Sequence, residues 1–184
     1  MGKMSYTAIT SLDGFVEDEQ GKFDWAEPKE DVHTYINQLE NQNETLIFGR
    51  KLYETMVWWE SQESLQDLPM YIKDYGRIWR KAEKVVYSRT LLEATSSKTT
   101  IRPNFDSDEV RRMKETRKGN IGIGGAELAG IAISHDLVDE VYLFIHPMIV
   151  GNGKPAIARG LRTRMSLEET KCFEGGVVLL HYRL

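Results

Sequence analysis

Short apolar runs rich in β-branched residues alternate in this chain with segments in which apolar residues recur every three or four positions. The runs predict strands, and the spacing predicts amphipathic helices. The predicted strands are SYTAIT (5–10), ETLIFG (44–49), KVVYS (84–88), NIGIGG (120–125), DEVYLFIHPMIV (139–150) and GVVLLHYRL (176–184). Helical spacing is found around residues 32–39, 52–56, 71–79, 110–113 and 128–132. This alternation predicts an α/β sheet whose helical connections cross over it.

The last part of the chain breaks the alternation. From Asp139 onward one predicted strand follows another, and Gly175 and Gly176 suit a tight turn between the last two. We therefore predict a mixed sheet that is largely parallel and becomes antiparallel at its C-terminal edge. The polar stretch of residues 95–112 predicts a surface strand and loop before a helix capped by Asp106 or Ser107.

Composition narrows the classes of protein to consider. The 184 residues show no internal break in composition and are expected to form one domain, residues 1–184. A net charge of -4 with scattered Lys and Arg argues against nucleic acid as a partner. No apolar run is long enough to span a bilayer and the N-terminus does not resemble a signal peptide, so we expect a cytoplasmic protein without a membrane partner. The single cysteine, Cys172, fits a reducing compartment and is expected to be a small buried apolar residue.

The stretch IGIGGAELAG (121–130) raises the possibility of a nucleotide-binding loop. A Rossmann fingerprint would require a third glycine where Glu127 stands, and it would have to follow the first strand of the sheet. What remains is a strand that ends at Gly124 and Gly125 and is followed at once by a helix. Uncapped N–H groups and the positive end of the helix dipole can bind a phosphate there. The alternative is that the glycines only allow a tight turn between strand and helix.

Two further strand ends carry groups that suit an anion. IFGRKLYE (47–54) places Gly49 and Arg50 between a strand and a helix, and YSRT (87–90) places two hydroxyls and Arg89 after another strand. An arginine can bind a phosphate group through two parallel hydrogen bonds. Because ligands of open α/β sheets bind outside the carboxyl ends of the strands, these three strand ends together predict a site for a phosphorylated ligand.

Six segments in order, SLDGFV, FGRKLYETM, YSRT, GGAELAG, LVDEVYLFIHPMIVGNGKP and FEGGVVLLHYRL, resemble the dihydrofolate reductase-like superfamily. The branch they resemble is typified by the C-terminal reductase domain of the bifunctional riboflavin-biosynthesis deaminase/reductase. The resemblance covers essentially the whole chain, and no deaminase segment is expected before it. It implies a three-layer α/β/α sandwich around a mixed eight-stranded sheet, NADPH as cofactor and a homodimer.

The resemblance also implies which residues contact the cofactor. These positions are Ala8 and Ile9 with the 11–14 loop at the nicotinamide, Gly49, Arg50 and Lys51 at the phosphates, Ser88, Arg89 and Thr90 at the adenosine ribose and its 2′-phosphate, and Gly124, Gly125, Ala126 and Glu127 under the diphosphate. One position departs from the family pattern, because Leu52 stands where the reductases often have a threonine whose hydroxyl reaches the diphosphate. A leucine side chain has no hydroxyl to make this contact.

Carboxyl groups are the candidates for handling the proton that accompanies hydride transfer. In folate reductases a tryptophan precedes a helix whose first turn carries the acid, and the matching segment DWAEPKEDVHTYI places Glu30 at that position, with Asp31 beside it. The alternative is that both acids only stabilise the helix dipole. Asp13 is a further catalytic candidate, with closure of the turn before Gly14 as its alternative role.

Aromatic and histidine residues complete the survey of candidates. Trp58 and Trp59 are expected in the core, with one of them lining the substrate side as the alternative. His146 is expected to be a core histidine with satisfied hydrogen bonds, and His33 and His181 to lie at the surface or at an edge. No cluster of His, Cys and carboxylates has the spacing of metal ligands, so no metal is predicted.

The function predicted is that of an NADPH-dependent reductase acting on a small heterocyclic or carbonyl-like substrate. By resemblance a pyrimidine intermediate of riboflavin synthesis is one candidate. Folate is less expected, because the segment from Glu60 to Arg80 offers Arg77 and Arg80 but nothing that matches the glutamate-binding part of folate reductases. The alternative is a nucleotide-binding sensor or sequestering protein without turnover, which Leu52 and the lack of an unambiguous acid favour.

Overall fold

A computed structural model describes residues 2–61 and 66–184, and its centre is one large sheet. The strands are β1 Met4–Thr10, β2 Phe15–Asp18, β3 Asn43–Gly49, β4 Glu83–Tyr87, β5 Thr99–Arg102, β6 Asn120–Gly124, β7 Glu140–Ile145, β8 Gly153–Pro155, β9 Ser166–Cys172 and β10 Val178–Arg183. Eight of them form a sheet in the order β5-β4-β3-β6-β1-β7-β10-β9, while β2 and β8 pair as a separate antiparallel ribbon.

Strand direction within the sheet confirms the predicted mixed topology. The strands from β5 through β7 pair in parallel, and β10 runs antiparallel to both β7 and β9. The β9–β10 turn contains Gly175 and Gly176, both with positive φ, as the glycine pair predicted. Because the parallel strands all point the same way, their carboxyl ends meet at one edge of the sheet.

Helices cover both faces of the sheet, so the predicted three layers are present. They are α1 Glu30–Glu40, α2 Arg50–Met56, α3 Met70–Lys81, α4 Ser107–Thr116 and α5 Ala126–Ser134, with 3-10 turns at Asp24–Ala26 and Val57–Glu60. On one face Val110 of α4 and Ala129 of α5 pack in a cluster with Tyr6 of β1. On the other face Val32 of α1 packs with Leu179 of β10.

The central strands are buried on both faces, which explains their continuous apolar sequences. In β3, Ile47 belongs to the cluster under α4 and α5, whereas Leu46 and Phe48 belong to a cluster with Trp79 of α3. Trp79 is fully buried, and its indole N–H donates to Glu60 Oε2 at 2.8 Å. Burial of a side chain of this size is worth several kcal/mol, about 3–5 kcal/mol on truncation to alanine.

Three strands were not predicted, and one predicted strand is shorter than expected. β2 and β8 are too short for a periodic signal, and every residue of β9 is exposed, so its sequence carries no apolar alternation. The strand predicted over residues 139–150 ends at Ile145. Pro147 follows shortly and cannot donate to a ladder, which ends the pairing there.

Two expectations about single residues are wrong. Cys172 is exposed at the end of β9 rather than buried, because β9 lies at the outer edge of the sheet. His33 is buried rather than superficial, because its ring lies in the interface of α1 and α3, with ring centroids 5.2 Å from Tyr71 and 5.9 Å from Tyr75. No helix within residues 2–61 and 66–184 is long and apolar enough to cross a membrane.

Candidate cofactor and substrate site

The strand ends singled out in the sequence lie side by side along the carboxyl edge of the sheet. From β4 to β1 the order is β4, β3, β6, β1, which spans three strand spacings, or about 14 Å at about 4.8 Å each. Residues 88–90 follow β4, Gly49 ends β3, Gly124 ends β6, and the 11–14 loop follows β1. The structure therefore aligns all four groups of predicted cofactor residues in one row.

The turn from β6 into α5 has the geometry expected of an anion site. Gly125 is the N-cap of α5, and its φ of +91° is a conformation that favours glycine. No side chain caps this helix end, so the amides of Ala126 and Glu127 point out of the first turn without a side-chain acceptor among the described residues. The nine-residue α5 adds the positive end of its dipole to these donors.

The neighbouring turn from β3 into α2 supplies open space and cations. A Cβ atom at Gly49 would meet no atom within 4 Å, so a ligand can approach the backbone here. Arg50 Nη1 lies 3.1 Å from both carboxylate oxygens of Glu54, one turn along the same helix. Both side chains are exposed by two fifths or more, so the pair is weak and Arg50 can leave it. Lys51 is exposed beside it.

Leu52 packs between these two turns, and its side chain has no hydroxyl to offer a ligand. A Cβ atom at Gly124 would lie 2.7 Å from Leu52 Cδ2 and equally close to Phe48 Cε1. The leucine side chain thus occupies the gap above Gly124, and the absence of a side chain there lets α2 pack on β6. The segments 49–51 and 124–127, joined by this contact, are called the cradle below.

The loop after β4 places two exposed polar residues next to the cradle. Ser88 Oγ accepts hydrogen bonds from the amides of Thr90 at 3.1 Å and Leu91 at 2.9 Å, which fixes the turn. Arg89 and Thr90 project into solvent from this turn, and among the described residues no carboxylate pairs with Arg89. Its guanidinium is free to bind a phosphate.

Lys154 is a cation at the cradle that the sequence reasoning missed. Its Nζ lies 3.1 Å from Glu127 Oε1 in the first turn of α5, and the lysine is far less exposed than the glutamate, 26% against 84%. Lys154 belongs to β8, which is distant in sequence, so only the pairing of β8 with β2 reveals the contact. The lysine offsets the negative charge that Glu127 would otherwise present to a phosphate.

The loop after β1 carries Asp13, whose contacts support a turn-closing role. Its carboxylate accepts hydrogen bonds from the amides of Gly151 at 2.8 Å and Val150 at 3.2 Å. Hydrogen bonding from the Ser11 side chain, and then from these amides, lowers the pKa of the Asp13 carboxyl. A carboxyl held ionised in this way is a poor proton donor at neutral pH. Its catalytic role stays a prediction.

Glu30 and Asp31 lie at a different part of the carboxyl edge. Asp31 Oδ2 accepts from the Glu174 amide at 2.8 Å, which ties the start of α1 to the β9–β10 turn. β9 is three strand spacings, about 14 Å, from β1 on the side away from the cradle. Both acids line an open groove of about 700 Å³, together with Lys29, Thr34, Tyr35, Gln38, Lys171 and Glu174. Their catalytic role also stays a prediction.

The carboxyl ends of β1 and β7 meet two aromatic rings with unpaired nitrogens. His146 follows β7 and donates its amide to Thr10 O at 2.7 Å, and its ring lies edge-on to Trp25, with centroids 6.4 Å apart. His146 is 6% exposed, and neither its Nε2 nor Trp25 Nε1 has a hydrogen-bond partner among the described residues. The expectation of a satisfied core histidine is wrong in this respect. Burial lowers the pKa of the His146 imidazole.

Trp25 also lines a cleft next to the β1 end. The cleft has a volume of about 510 Å³, within the range of small-molecule sites. Its other lining residues are Asp18, Glu19, Gln20, Asp24, Met148, Ile149, Val150 and Asn152. Of the tryptophan pair, Trp59 packs against Tyr75 and His33. Trp58 is 47% exposed, so the expectation of a core position is wrong for Trp58. Among the described residues no group of three or more His, Cys, Asp or Glu could hold a metal ion.

Comparison with known proteins finds chains that are similar to this one in sequence and in fold. A family model described as the RibD C-terminal domain matches residues 3–179. The Bacillus subtilis protein named Uncharacterized protein YyaP is 32% identical over 179 residues, which cover 95% of this chain and 90% of that protein. A crystal structure from Shewanella sp. PV-4, described as a riboflavin biosynthesis protein, superposes with a TM-score of 0.75 at 20% identity and covers 98% of both chains.

A longer enzyme has the same fold in part of its chain. The diaminohydroxyphosphoribosylaminopyrimidine deaminase/5-amino-6-(5-phosphoribosylamino)uracil reductase of Thermotoga maritima superposes with a TM-score of 0.68 at 13% identity. The superposition covers 99% of this chain and 56% of that one. At such identities the likeness establishes the fold alone.

Proposed function

The chain belongs to the family of the RibD C-terminal domain, and from this premise we propose that it is an NADPH-dependent reductase. Its substrate in this proposal is a small heterocyclic or carbonyl-like compound, related to riboflavin or pterin metabolism. Membership in this family and the likeness to riboflavin biosynthesis proteins support a reductase-like role. We propose the substrate class and the cofactor in addition to this reductase-like role.

The observation that carries the proposal is the row of anion-binding groups along the sheet edge. The uncapped start of α5, Arg50, Lys51 and Arg89 lie on three successive strand ends, β4, β3 and β6. Such a row suits an extended ligand with several phosphates, and a 2′-phosphorylated dinucleotide has them at both the ribose and the diphosphate. The end of β1, next in the row, is where its nicotinamide would lie.

When bound, the dinucleotide supplies the hydride, and the chain's own residues bind and orient the two reactants. The glycines of the cradle allow close approach of the backbone, and its amides and cations hold the phosphates. Thr10 and Ser11 are buried at the β1 end, where substrate and nicotinamide would meet. Glu30 or Asp31 remains the candidate proton donor from the sequence.

Thermal unfolding with NADPH, with NADH and without ligand tests the cofactor. A ligand at 100 times its Kd stabilises a protein by about 2.7 kcal/mol, which for a chain of this size raises Tm by roughly 5–10 °C. We expect a shift with NADPH and a smaller one with NADH at equal concentrations. Arg89→Gln should remove most of this difference, whereas Arg77→Gln, an exposed arginine on α3 paired with Asp74, should retain it. Equal shifts with both dinucleotides in the wild type would contradict the role of the 2′-phosphate.

A substrate panel then tests turnover. NADPH consumption is followed with the uracil substrate named for the Thermotoga enzyme, with dihydrofolate and with simple diketones. Steady consumption with any of them supports the reductase. The second candidate, a nucleotide-binding protein without turnover, is favoured by Leu52, which offers no hydroxyl to the diphosphate, and predicts a thermal shift without consumption.

A further inference from the structure

Two buried ring nitrogens near the ends of β1 and β7 have no hydrogen-bond partner within residues 2–61 and 66–184. They are Trp25 Nε1 and His146 Nε2, and the two rings are in edge-to-face contact. Most buried polar atoms in folded proteins are paired, because leaving one unpaired costs about 1–3 kcal/mol. Two such atoms in adjacent rings therefore point to a partner outside the described residues, such as a bound ligand.

Their position along the sheet edge indicates what that partner does. β7 is the next strand after β1, on the side away from the cradle. His146 directly continues β7 and is bonded to the end of β1 through Thr10 O. A substrate that receives a hydride at the β1 end would lie on this side, because the cofactor occupies the other. Trp25, in turn, borders the 510 Å³ cleft.

The hydrogen-bonding properties of the two nitrogens limit which chemical group of a ligand can bind them. An indole N–H only donates a hydrogen bond, whereas an imidazole nitrogen donates or accepts according to its tautomer. Burial favours the neutral imidazole, and no charged side chain among the described residues offsets this effect. The pair thus offers one fixed donor and one neutral nitrogen. A carbonyl oxygen satisfies both atoms in the tautomer that carries the proton on Nε2, and a hydroxyl oxygen satisfies both atoms in either tautomer. An amino group leaves the indole donor unpaired.

We propose that Trp25 Nε1 and His146 Nε2 bind a neutral oxygen group of the substrate and determine which compounds the enzyme accepts. This inference rests on the proposed reductase function, and it adds two specificity-determining residues to it. It also selects among candidate substrates, since ring carbonyls are preferred over rings that present an amino group at this point.

Kinetics of matched variants test the pair. Trp25→Phe keeps an aromatic ring without the N–H, His146→Leu removes both ring nitrogens, and His146→Gln places an amide nitrogen near the position of Nε2. With NADPH saturating and the best substrate of the panel, Trp25→Phe and His146→Leu should lower kcat/KM by about 10- to 100-fold, the loss expected for one buried hydrogen bond. His146→Gln should recover much of this loss, and His135→Leu, at an exposed histidine after α5, should retain wild-type kinetics.

NADPH binding separates failure of this inference from failure of the proposed function. All variants should show the wild-type thermal shift with NADPH, because the pair lies outside the cradle. If the wild type itself does not bind NADPH, the proposed function fails. If it turns over substrate and Trp25→Phe retains wild-type kcat/KM, the inference fails and the function stands.

A binding measurement independent of turnover uses the indole N–H signals in an NMR spectrum of ¹⁵N-labelled protein. Trp25→Phe identifies the Trp25 signal, and the Trp79 signal is an internal reference because its N–H is already bonded to Glu60. Uracil, a ring with two carbonyls, should shift the Trp25 signal and leave the Trp79 signal in place. An unmoved Trp25 signal at saturating uracil, or an equal shift with 2,4-diaminopyrimidine, would overturn the proposal.

Discussion

A single contact, that of Leu52 with Gly124, illustrates how individual residues shape this site. The leucine methyl group fills the space that a side chain at Gly124 would need, and so the two halves of the cradle are held together by packing. In a chain with threonine at this position, the same space would hold a smaller group with a hydroxyl. Leucine at this position therefore provides apolar contact between α2 and β6 and offers no hydroxyl.

Glu40 is a buried carboxyl whose ionisation should weaken the fold. It accepts hydrogen bonds from Asn43 Nδ2 at 3.0 Å and from the Thr7 side chain, and burial raises its pKa above the ordinary value of 4.5. Above pH 4.5 the unfolded chain loses this proton before the folded protein does. The free energy of unfolding contributed by Glu40 should therefore fall as pH rises from about 4.5 to the folded pKa.

Glu40→Gln removes this titration while keeping the size of the side chain. We expect the stability of the variant relative to wild type to increase with pH over the same range, as measured by urea unfolding at several pH values. Glu44→Gln, an exposed carboxyl on β3, controls for the loss of one negative charge. Parallel pH curves for Glu40→Gln and wild type would show that Glu40 does not titrate abnormally.

At the scale of the element, the start of α4 shows how far local sequence determines a boundary. The polar stretch before it left Asp106 and Ser107 as alternative caps, and the structure selects Asp106. Its carboxylate accepts from the amides of Asp108 at 2.9 Å and Glu109 at 3.1 Å. Two donors that would otherwise be unpaired are thereby satisfied.

Asp106→Ala should destabilise the protein by about 1 kcal/mol, the usual effect of losing an N-cap. Urea unfolding should show a lower midpoint with an unchanged slope. Ser107→Ala, at the neighbouring position, should have little effect because Ser107 is already inside the helix. A larger loss from Ser107→Ala than from Asp106→Ala would contradict this assignment of the cap.

Elements that are buried on two faces were predictable, and elements held by long-range pairing were not. β3, with Leu46 and Phe48 on one face and Ile47 on the other, reads as an apolar run because both faces are covered. β9 reads SLEETKC, and only its pairing with β10 makes it a strand. Lys154 was not predicted for the same reason, because its position at the cradle depends on the long-range pairing of β2 with β8.

For the candidate site, the row of strand ends was predictable because parallel strands bring their carboxyl ends together. Gly49, Arg89 and Gly125 were identified in this way from their positions after apolar runs. Trp25 and His146 were not identified as a pair, since they are far apart in sequence and only the folded chain brings their rings together. The sequence alone does not show whether the ring nitrogens of a single histidine in an apolar run have hydrogen-bond partners.

At the scale of the whole molecule, the homodimer remains a prediction. The apolar side chains of the C-terminal strands, such as Leu179 and Phe144, are buried under α1 and are not available to an interface. Exposed apolar residues are instead grouped where the Leu12 amide bonds Met148 O at 2.7 Å, with Ile149 next to it. Grouped apolar surface of this kind is typical of interfaces.

Sedimentation measurements test both parts of the prediction. We expect the wild type to sediment as a dimer and Ile149→Lys to shift the equilibrium towards monomer by placing a charge in the interface. Leu167→Lys, on the exposed face of β9, should leave the dimer intact because Leu167 lies apart from the apolar group. A wild type that sediments as a monomer at all concentrations would reject the dimer.

The exposed position of Cys172 makes the protein convenient for chemical labelling. The chain has one cysteine, so a maleimide dye would attach at a single known point, at the end of an edge strand. Cys172 lies at the carboxyl edge, near the groove of Glu30 and Asp31 but several strands from the cradle. A fluorophore there would test the proposed binding of NADPH by energy transfer, without any engineered thiol and in the unmodified sequence.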